Sequence, residues 1–287
     1  MNIIGHKYIF LTISGLLVLA AVLAIGYFGL KQGIDFVGGA QWQVKLVGSS
    51  NLGISDLQKI YPEATIVEES STKSFIIRAK TIDRELVKKL GTAEELSYEE
   101  IGPAVGSELR RKALWAFVGV LLIISLYIAI AFRKVSRPVS SWKYGLITLV
   151  TLFHDALIPI GVIAYLGQSG LIELNTNIVV AVLVIMGFSV HDTIVVFDRI
   201  RENIKLAKNP AADFNGLVNK SVNETLVRSI NTSLTLVIVL LALLFLGAAG
   251  LTYFILTILI GVIVGTYSSI FVASPLLTLW TPRGRIQ

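Results

Sequence analysis

Six apolar stretches, each close to 20 residues or longer, constrain the fold of this chain more than any other feature. An α-helix needs about 20 residues to cross the roughly 30 Å hydrocarbon layer of a membrane. Only 15% of the residues are charged and 54% are hydrophobic, which is far from a soluble domain. We therefore predict an integral membrane protein with six spans. The expected spans run at about Tyr8 to Phe28, Lys112 to Phe132, Trp142 to Leu166, Thr176 to Asp198, Ser229 to Gly247 and Leu251 to Trp280, the last ending near Pro275.

The basic residues predict the orientation of these spans, because loops on the cytoplasmic side are enriched in Lys and Arg. The connections 167–175 and 247–250 contain neither residue type. The opposite connections and the C-terminus carry Arg133, Lys134, Arg137, Lys143, Arg199, Arg201, Lys205, Lys208, Lys220, Arg228, Arg283 and Arg285. Both termini are therefore predicted to be cytoplasmic, with the first span a retained anchor. The net charge of +6 then reflects topology, and no nucleic-acid partner is expected.

The one long polar segment, 31–111, lies between the first two spans, and this topology puts it outside the cytoplasm. Its pattern predicts strand, helix, strand, strand, helix and strand, which is the ferredoxin-like plan. The predicted elements are Gln41 to Val47, Ile54 to Ile60, Thr65 to Glu69, Ser74 to Ala79, Ile82 to Leu90 and Leu96 to Ile101. Because the segment has no clustered histidines, nucleophile or phosphate loop, we expect a docking module with no cofactor rather than an enzyme.

The predicted fold is an all-α membrane bundle of six helices with an inserted extracytoplasmic α+β domain of the ferredoxin-like type. Its domains are the first transmembrane helix (1–30), the α+β domain (31–111), a five-helix bundle (112–280) and a cytoplasmic tail (281–287). Basic and apolar residues alternate at about 199–228. That pattern predicts a cytoplasmic amphipathic loop that lies along the membrane surface.

The fourth span carries His191 and Asp192 within an apolar helix. An ionisable group near the bilayer centre costs about 2.5–3.5 kcal/mol on insertion scales and is usually functional. Arg228 begins the fifth span on the side where the fourth span ends, and it could pair with Asp192 if the two helices pack. A nearby arginine keeps an aspartate charged, whereas its withdrawal lets the aspartate take a proton. A movable pair of Asp192 and Arg228 is therefore a candidate proton latch.

Three other ionisable residues leave alternatives open. His191 could extend a proton relay, or it could be a neutral histidine hydrogen-bonded to a neighbouring helix, which we favour. Asp155 follows His154 in the third span, and it could be a second step in the path or could lock helices together. Asp198 lies close to the water boundary, where it could handle protons or belong to a solvated helix end.

Glycine-rich and polar segments mark the outer ends of the spans. Glycine allows positive φ and close backbone approach, so GIDFVGG and IGPAVGSEL are expected to make tight joints between the outer domain and the membrane helices. The first motif contributes Gly33, Asp35, Phe36, Gly38 and Gly39, and its aspartate could cap a turn. At the outer end of the fourth span, Glu173, Asn175 and Asn177 could form a polar proton entrance or an interfacial cap.

Six motifs resemble, in order, the SecF pattern of the SecD/SecF family of protein-export membrane proteins, in the RND superfamily. They are GIDFVGG (33–39), IGPAVGSEL (101–109), FHDALIPIG (153–161), HDTIVVFDRIREN (191–203), RSINTSLT (228–235) and GVIVGTYSSIFVASPLL (261–277). The resemblance implies a plasma-membrane subunit that pairs with SecD beside the SecYEG channel, with YajC as a further candidate partner. It also implies that proton flow promotes translocation of secreted polypeptides. The family's proton-pathway residues fall on Asp192 and Arg228, whereas His191 departs from the neutral residue usual at its position.

Six spans are half of an RND-like transporter, whose two related halves place the coupling site between them. The chain has no second copy of its own domain-plus-bundle pattern, so a hetero-partner is expected, and SecD is the candidate. Two rival classes remain, with the coupling ion, proton or sodium, left open. The first is half of another proton-driven exporter of small amphiphiles. The second is an intramembrane metal site built on His154, Asp155, His191 and Asp192, although no HExxH motif supports it.

Overall fold

The computed structural model describes residues 1–47, 53–69, 74–83, 85, 92–133, 138–169, 172–247 and 249–280. Within these residues, six helices are long and apolar enough to cross a membrane, as predicted. Spans 1 to 6 are Lys7–Phe28, Pro103–Ala131, Ser141–Leu166, Thr176–Leu206, Phe214–Leu246 and Thr252–Leu279. An antiparallel sheet lies between spans 1 and 2 in sequence. We call the end of the bundle next to this sheet the sheet side and the other end the termini side.

Three spans are longer than their apolar stretches. Span 2 begins at Pro103 rather than near Lys112, because Gly102 is extended and proline suits the first turn of a helix. Span 4 continues past its apolar stretch to Leu206, and span 5 begins before its apolar stretch, at Phe214. A short connection joins the two helices. The amphipathic segment predicted at 199–228 therefore consists of the ends of these two helices and the connection between them. Its apolar residues face each other across the two helix extensions, where Ile200 and Val218 are buried in one core cluster.

Span 6 does not end near Pro275, as the sequence predicted, but continues to Leu279. A π-helical segment, Ser269–Ala273, precedes the last helical segment, Ser274–Leu279, and the proline lies in the first turn of that segment. Proline has no backbone N–H and clashes with the preceding turn of a regular α-helix. The wider π-helical turn accommodates this residue without ending the span.

The sheet has the strand order β2-β3-β1-β4, and all neighbours are antiparallel. The strands are β1 Gly39–Val47, β2 Thr65–Glu69, β3 Ser74–Ala79 and β4 Thr92–Ile101. A helix at Ile54–Ile60 joins β1 to β2, and β4 begins four residues before the predicted Leu96. Most of the second predicted helix, Ile82 to Leu90, lies outside the described residues.

One face of the sheet forms the core of this domain together with the helix Ile54–Ile60. Trp42, Val44, Leu57 and Ile77 are each almost fully buried in one cluster. The Trp42 indole keeps a partner, because its Nε1–H donates to Glu95 Oε2 at 2.9 Å. A buried indole otherwise leaves its N–H unpaired, so this bond makes the large tryptophan compatible with the core.

The segment 33–39 joins the sheet to the bundle. It contains a single helical turn, Ile34–Val37, followed by Gly38 and Gly39 with φ of 83° and 150°. Span 2 approaches this turn so closely that a Cβ added to Gly106 would lie 3.0 Å from Gly38 N. Positive φ and this close approach both require glycine. The first turn of span 2 is therefore pressed against the backbone that leads into β1.

Glycines also allow backbones to approach inside the bundle. A Cβ added to Gly145 in span 3 would lie 2.5 Å from Ser125 O in span 2. A Cβ added to Gly161 would lie 2.6 Å from Ala21 Cα in span 1. At these two glycines, span 3 thus contacts spans 1 and 2 through its backbone.

Replacing Gly161 with valine is expected to lower the free energy of unfolding by about 1–3 kcal/mol, because a side chain cannot fit against the span 1 backbone. Thermal unfolding of the purified protein in detergent measures this change. Gly15→Val is the matched control, since an added Cβ at Gly15 meets no atom within 4 Å. Equal losses of stability in the two variants would show that the packing between spans 1 and 3 does not need glycine.

Candidate functional site

Two aspartates, Asp155 and Asp192, lie in the interior of the bundle and are almost fully buried. Buried carboxyl groups in apolar helices require hydrogen-bonding partners, because desolvation is costly. Their partners here are serine and threonine hydroxyls on neighbouring spans. The layer of buried hydroxyls comprises Ser189, Thr193, Ser229, Ser233, Ser268 and Ser269, with the partly buried Thr266 beside them.

Asp192 lies where spans 4, 5 and 6 meet. Ser233 Oγ of span 5 donates to Asp192 Oδ2 at 3.4 Å and lies 2.5 Å from Thr266 Oγ1 of span 6. The Thr266 hydroxyl contacts this serine and donates to Val262 O of its own helix at 2.9 Å. A hydroxyl can donate to a carboxylate or accept from a protonated carboxyl. The Ser233 hydroxyl can therefore hydrogen-bond Asp192 in either protonation state.

Arg228 does not form the predicted ion pair with Asp192 in this structure. Within the described part of the chain, no ion pair includes either residue, and the Arg228 side chain is exposed. The physical reason is rotation about span 5. Ser233, which contacts Asp192, follows Arg228 by five residues, about 140° around the helix and about 7.5 Å along it. Arg228 therefore faces away from the site that Ser233 contacts.

Asp155 joins three spans. Its Oδ2 accepts hydrogen bonds from Ser189 of span 4 and from Ser268 of span 6, the latter at 2.7 Å. Its Oδ1 lies 2.7 Å from His154 Nδ1. His154 is only 3% exposed, and its Nε2 is buried with no hydrogen-bond partner among the described residues. Of the two alternatives left open for Asp155, the contacts to spans 4 and 6 favour a lock between helices.

His191 lies on the exposed surface of span 4, about 100° around the helix from Asp192. The favoured interpretation was a hydrogen bond to a neighbouring helix, but within the described part of the chain His191 forms none. The histidine belongs to an exposed stripe at helical spacing, which we call the open face of span 4. The stripe consists of Asn177, Val180, Val184, Gly187, His191 and Asp198.

The termini-side end of span 4 holds an ion-pair cluster. Arg199 pairs with Glu202 at 2.6 Å and with Glu224 of span 5 at 2.7 Å. Asn203 Nδ2 donates to the same Glu224 at 2.9 Å. Asp198 pairs with Arg201 and its side chain is 54% exposed, as in the solvated helix end considered for it. Sequence reasoning missed Glu224, because no motif or apolar setting distinguished it from other surface carboxylates.

At the sheet side, a polar cavity of about 360 Å³ lies between the sheet and the first turn of span 4. Asp35 Oδ2 accepts from Thr176 N at 2.8 Å, and Asn175 Oδ1 accepts from Ile178 N at 3.0 Å. Both side chains thus cap span 4, because the N–H groups of its first turn have no acceptor within the helix itself. The cavity is lined among others by Arg78, Glu99, Glu173, Asn175 and Asn177.

Replacing Asp35 with alanine is expected to destabilise the protein by about 1 kcal/mol, because the first turn of span 4 loses a cap. Asp35→Asn should keep most of the stability, since an amide oxygen also accepts from a backbone N–H. Hydrogen exchange of the amides of residues 176–179 measures the local effect. Unchanged exchange in the alanine variant would contradict the capping role.

The residues considered for a metal site do not come together. Asp155 and His154 lie between spans 3, 4 and 6, whereas His191 is exposed on the open face. Within the described ranges, no group of three His, Cys, Asp or Glu side chains is arranged to hold a metal ion. The geometry instead brings hydroxyls to two buried carboxyl groups.

Comparison with known proteins identifies close relatives. A family model described as "Protein export membrane protein SecD/SecF, C-terminal" matches residues 82–283. The chain is 37% identical to the "Protein translocase subunit SecF" of Thermobaculum terrenum, over 98% of this chain and 94% of the relative. It is 36% identical to the subunit of the same name from Endomicrobium trichonymphae, over 98% and 91%.

Solved structures give the same result. The crystal structure of the translocon-associated membrane protein SecDF from Thermus thermophilus matches with a TM-score of 0.81 and 34% identity. The match covers 98% of this chain and 38% of that SecDF chain. The chain is thus similar to one part of a longer polypeptide, and a second SecDF structure, in a super-membrane-facing form, matches with a TM-score of 0.70.

Proposed function

The chain belongs to the SecD/SecF family of protein-export membrane proteins, and on that premise we propose that it couples the proton motive force to protein translocation as the SecF half of a complex with SecD. It is a multi-pass membrane protein and a SecF-type translocase subunit. We further propose that it lies in the plasma membrane with both termini in the cytoplasm. There it assists secreted polypeptides in the SecYEG channel, with YajC as a further partner.

The buried, hydroxyl-lined environment of Asp192 supports this proposal most directly. This carboxyl group is buried and accepts a hydrogen bond from Ser233 of span 5, which in turn contacts Thr266 of span 6. A group held in this way can gain or lose a proton while its neighbours reorient rather than separate. Each proton that crosses 100 mV supplies about 2.3 kcal/mol. We infer that the state of Asp192 sets how spans 4, 5 and 6 pack.

Arg228 is proposed as the movable partner of Asp192. When Asp192 is charged, the cation is attracted towards it, and when Asp192 is neutral the arginine returns to its exposed position. In this structure Arg228 is exposed and does not contact Asp192. This arrangement supports the step of the cycle in which Asp192 is neutral. His191, on the open face, is proposed to meet the partner subunit, and Asp155 is proposed to hold spans 3, 4 and 6 together. Asp198, exposed and ion-paired, is proposed to remain outside the pathway.

The contacts at the sheet side support coupling to the outer domain. Gly33 N donates to Leu174 O at 2.8 Å, and Leu174 N donates to Lys31 O at 2.7 Å. Thr65 of β2 donates to Glu173 Oε1 at 2.5 Å. Together with the Asp35 cap, these bonds connect two parts of the domain to the start of span 4. One is β2, and the other is the segment that precedes β1. A shift of span 4 would therefore be transmitted to the sheet domain.

Two architectural proposals accompany this function. The strand order β2-β3-β1-β4 supports a ferredoxin-like plan for the outer domain, 31–111, in which β1 and β2 are separated by β3. The match to 38% of a SecDF chain, together with the open face of span 4, supports an RND-type half whose second half is SecD. The proposed domain bounds remain 1–30, 31–111, 112–280 and 281–287.

Translocation assays in vesicles test the proposed function. Vesicles that contain SecYEG and SecD are compared with and without this chain while a secreted protein completes its passage. We expect the chain to speed completion only when a proton gradient is present, and a protonophore to remove the gain. Replacing sodium with potassium should change nothing if protons are the coupling ion. A gain that survives the protonophore in sodium-free buffer would refute the proposal.

A further inference from the structure

An apolar groove of about 280 Å³ opens on the sheet side of the bundle, between span 2, span 4 and the segment 33–39. Apolar side chains line it, including Phe36, Ala113 and Phe117. The polar side chains of its lining are Gln32 and Arg110. This groove takes no part in the hydroxyl layer around Asp155 and Asp192.

The position of the groove relates it to the membrane boundary. Arg110 precedes Phe117 by seven residues, so the lining of span 2 descends about 10 Å from the arginine. Tyr27, next to the sheet-side end of span 1, and Trp115, between Arg110 and Phe117 in span 2, are both exposed, as expected for aromatic residues at a membrane interface. The mouth of the groove is therefore at the level of lipid head groups and its interior is at the level of acyl chains.

The charge at the mouth is positive. Arg110 is exposed, and its nearest hydrogen bond, to Gln32 Oε1, is long at 3.4 Å. No carboxylate within the described part of the chain forms an ion pair with it. The neighbouring Arg111 is also exposed, and Lys112 pairs with Glu108 at 3.0 Å. A guanidinium group without a carboxylate partner is suited to phosphate, which it binds with two parallel N–H donors.

We propose that this groove binds an anionic phospholipid from the leaflet on the sheet side, with one acyl chain in the groove and the phosphate on Arg110. The positive charge favours an anionic head group over a zwitterionic one. The span 4 side chains in the lining, Val179 and Val182, are not on the open face of that span. The lipid site is thus separate from the surface proposed to meet SecD.

A lipid at this position contacts the joint between the bundle and the sheet. Phe36 belongs to the helical turn before β1, and Leu174 bonds through its backbone to Gly33 and Lys31. An acyl chain packed against these two residues adds apolar contact to both sides of the joint. Phospholipid binding is therefore expected to stabilise the sheet domain in its position on span 4.

Native mass spectrometry of the complex with SecD, purified in neutral detergent, tests this site. Delipidated complex is titrated with phosphatidylglycerol or with phosphatidylcholine. We expect preferential retention of one phosphatidylglycerol, and Arg110→Gln should weaken its binding about fivefold. Arg111→Gln is the matched control, because that arginine does not line the groove, and it should bind as the wild type does. Ala113→Phe, which fills the groove, should lose both lipids.

Two results would overturn the proposal. The first is equal phosphatidylglycerol binding by wild type, Arg110→Gln and Ala113→Phe. The second comes from a photo-crosslinking residue placed at Leu114, which also lines the groove. Crosslinking to phospholipid is the expected outcome, whereas crosslinking to the SecD polypeptide would show that a partner side chain fills the groove instead.

Discussion

Replacing Asp192 with asparagine is expected to abolish the proton-driven gain in translocation while the complex with SecD still assembles. Asparagine has nearly the same shape, and its Oδ1 can still accept from Ser233, so the packing of spans 4, 5 and 6 should survive. An amide cannot take up or release a proton near neutral pH. We expect the rate of completion in vesicles to fall to that of vesicles without the chain.

Asp198→Asn is the matched control, because it makes the same chemical change on the same helix at an exposed, ion-paired position. It should retain most of the gain. Copurification with SecD and an unchanged unfolding temperature establish that the Asp192 variant is folded. A full gain in that variant would remove Asp192 from the coupling mechanism and direct attention to Asp155.

Replacing Asp155 with alanine is expected to cause the largest loss of stability in the bundle, about 3–5 kcal/mol. The change removes the acceptor shared by Ser189, Ser268 and His154, which lie on spans 4, 6 and 3. Ser268 can still donate to Gly265 O, but a donor left buried without a partner costs about 1–3 kcal/mol. Thermal unfolding in detergent and the yield of intact complex measure the loss.

Asp155→Asn separates a helix lock from a proton relay. The amide oxygen can accept from the two serines, so this variant should recover most of the lost stability and most of the proton-driven gain in translocation. If the asparagine variant is as stable as the wild type yet has lost the gain, the carboxyl group itself carries protons. Stability of the alanine variant equal to that of the wild type would contradict the proposed lock.

Features set by neighbouring residues were predictable from the sequence alone. Hydropathy over about 20 residues identified all six spans. The free-energy cost of exposing apolar surface to water depends on each side chain, so consecutive residues alone reveal a span. The bounds of the helix Ile54–Ile60 and of β2 and β3 were predicted to the residue. Alternating hydrophobic residues and a following proline or turn define such elements locally.

The rotation of each helix and its partners across the bundle were decided only by the tertiary structure. Hydropathy revealed that Asp155 and Asp192 lie in apolar helices, but it did not show which hydroxyls bind them. It could not show that Arg228 and His191 face outward, or that Arg199 pairs with Glu224. Small differences in helix contact, such as the approach of Gly265 to Ser189, determine which faces meet. These contacts join residues far apart in the chain, so no local pattern contains them.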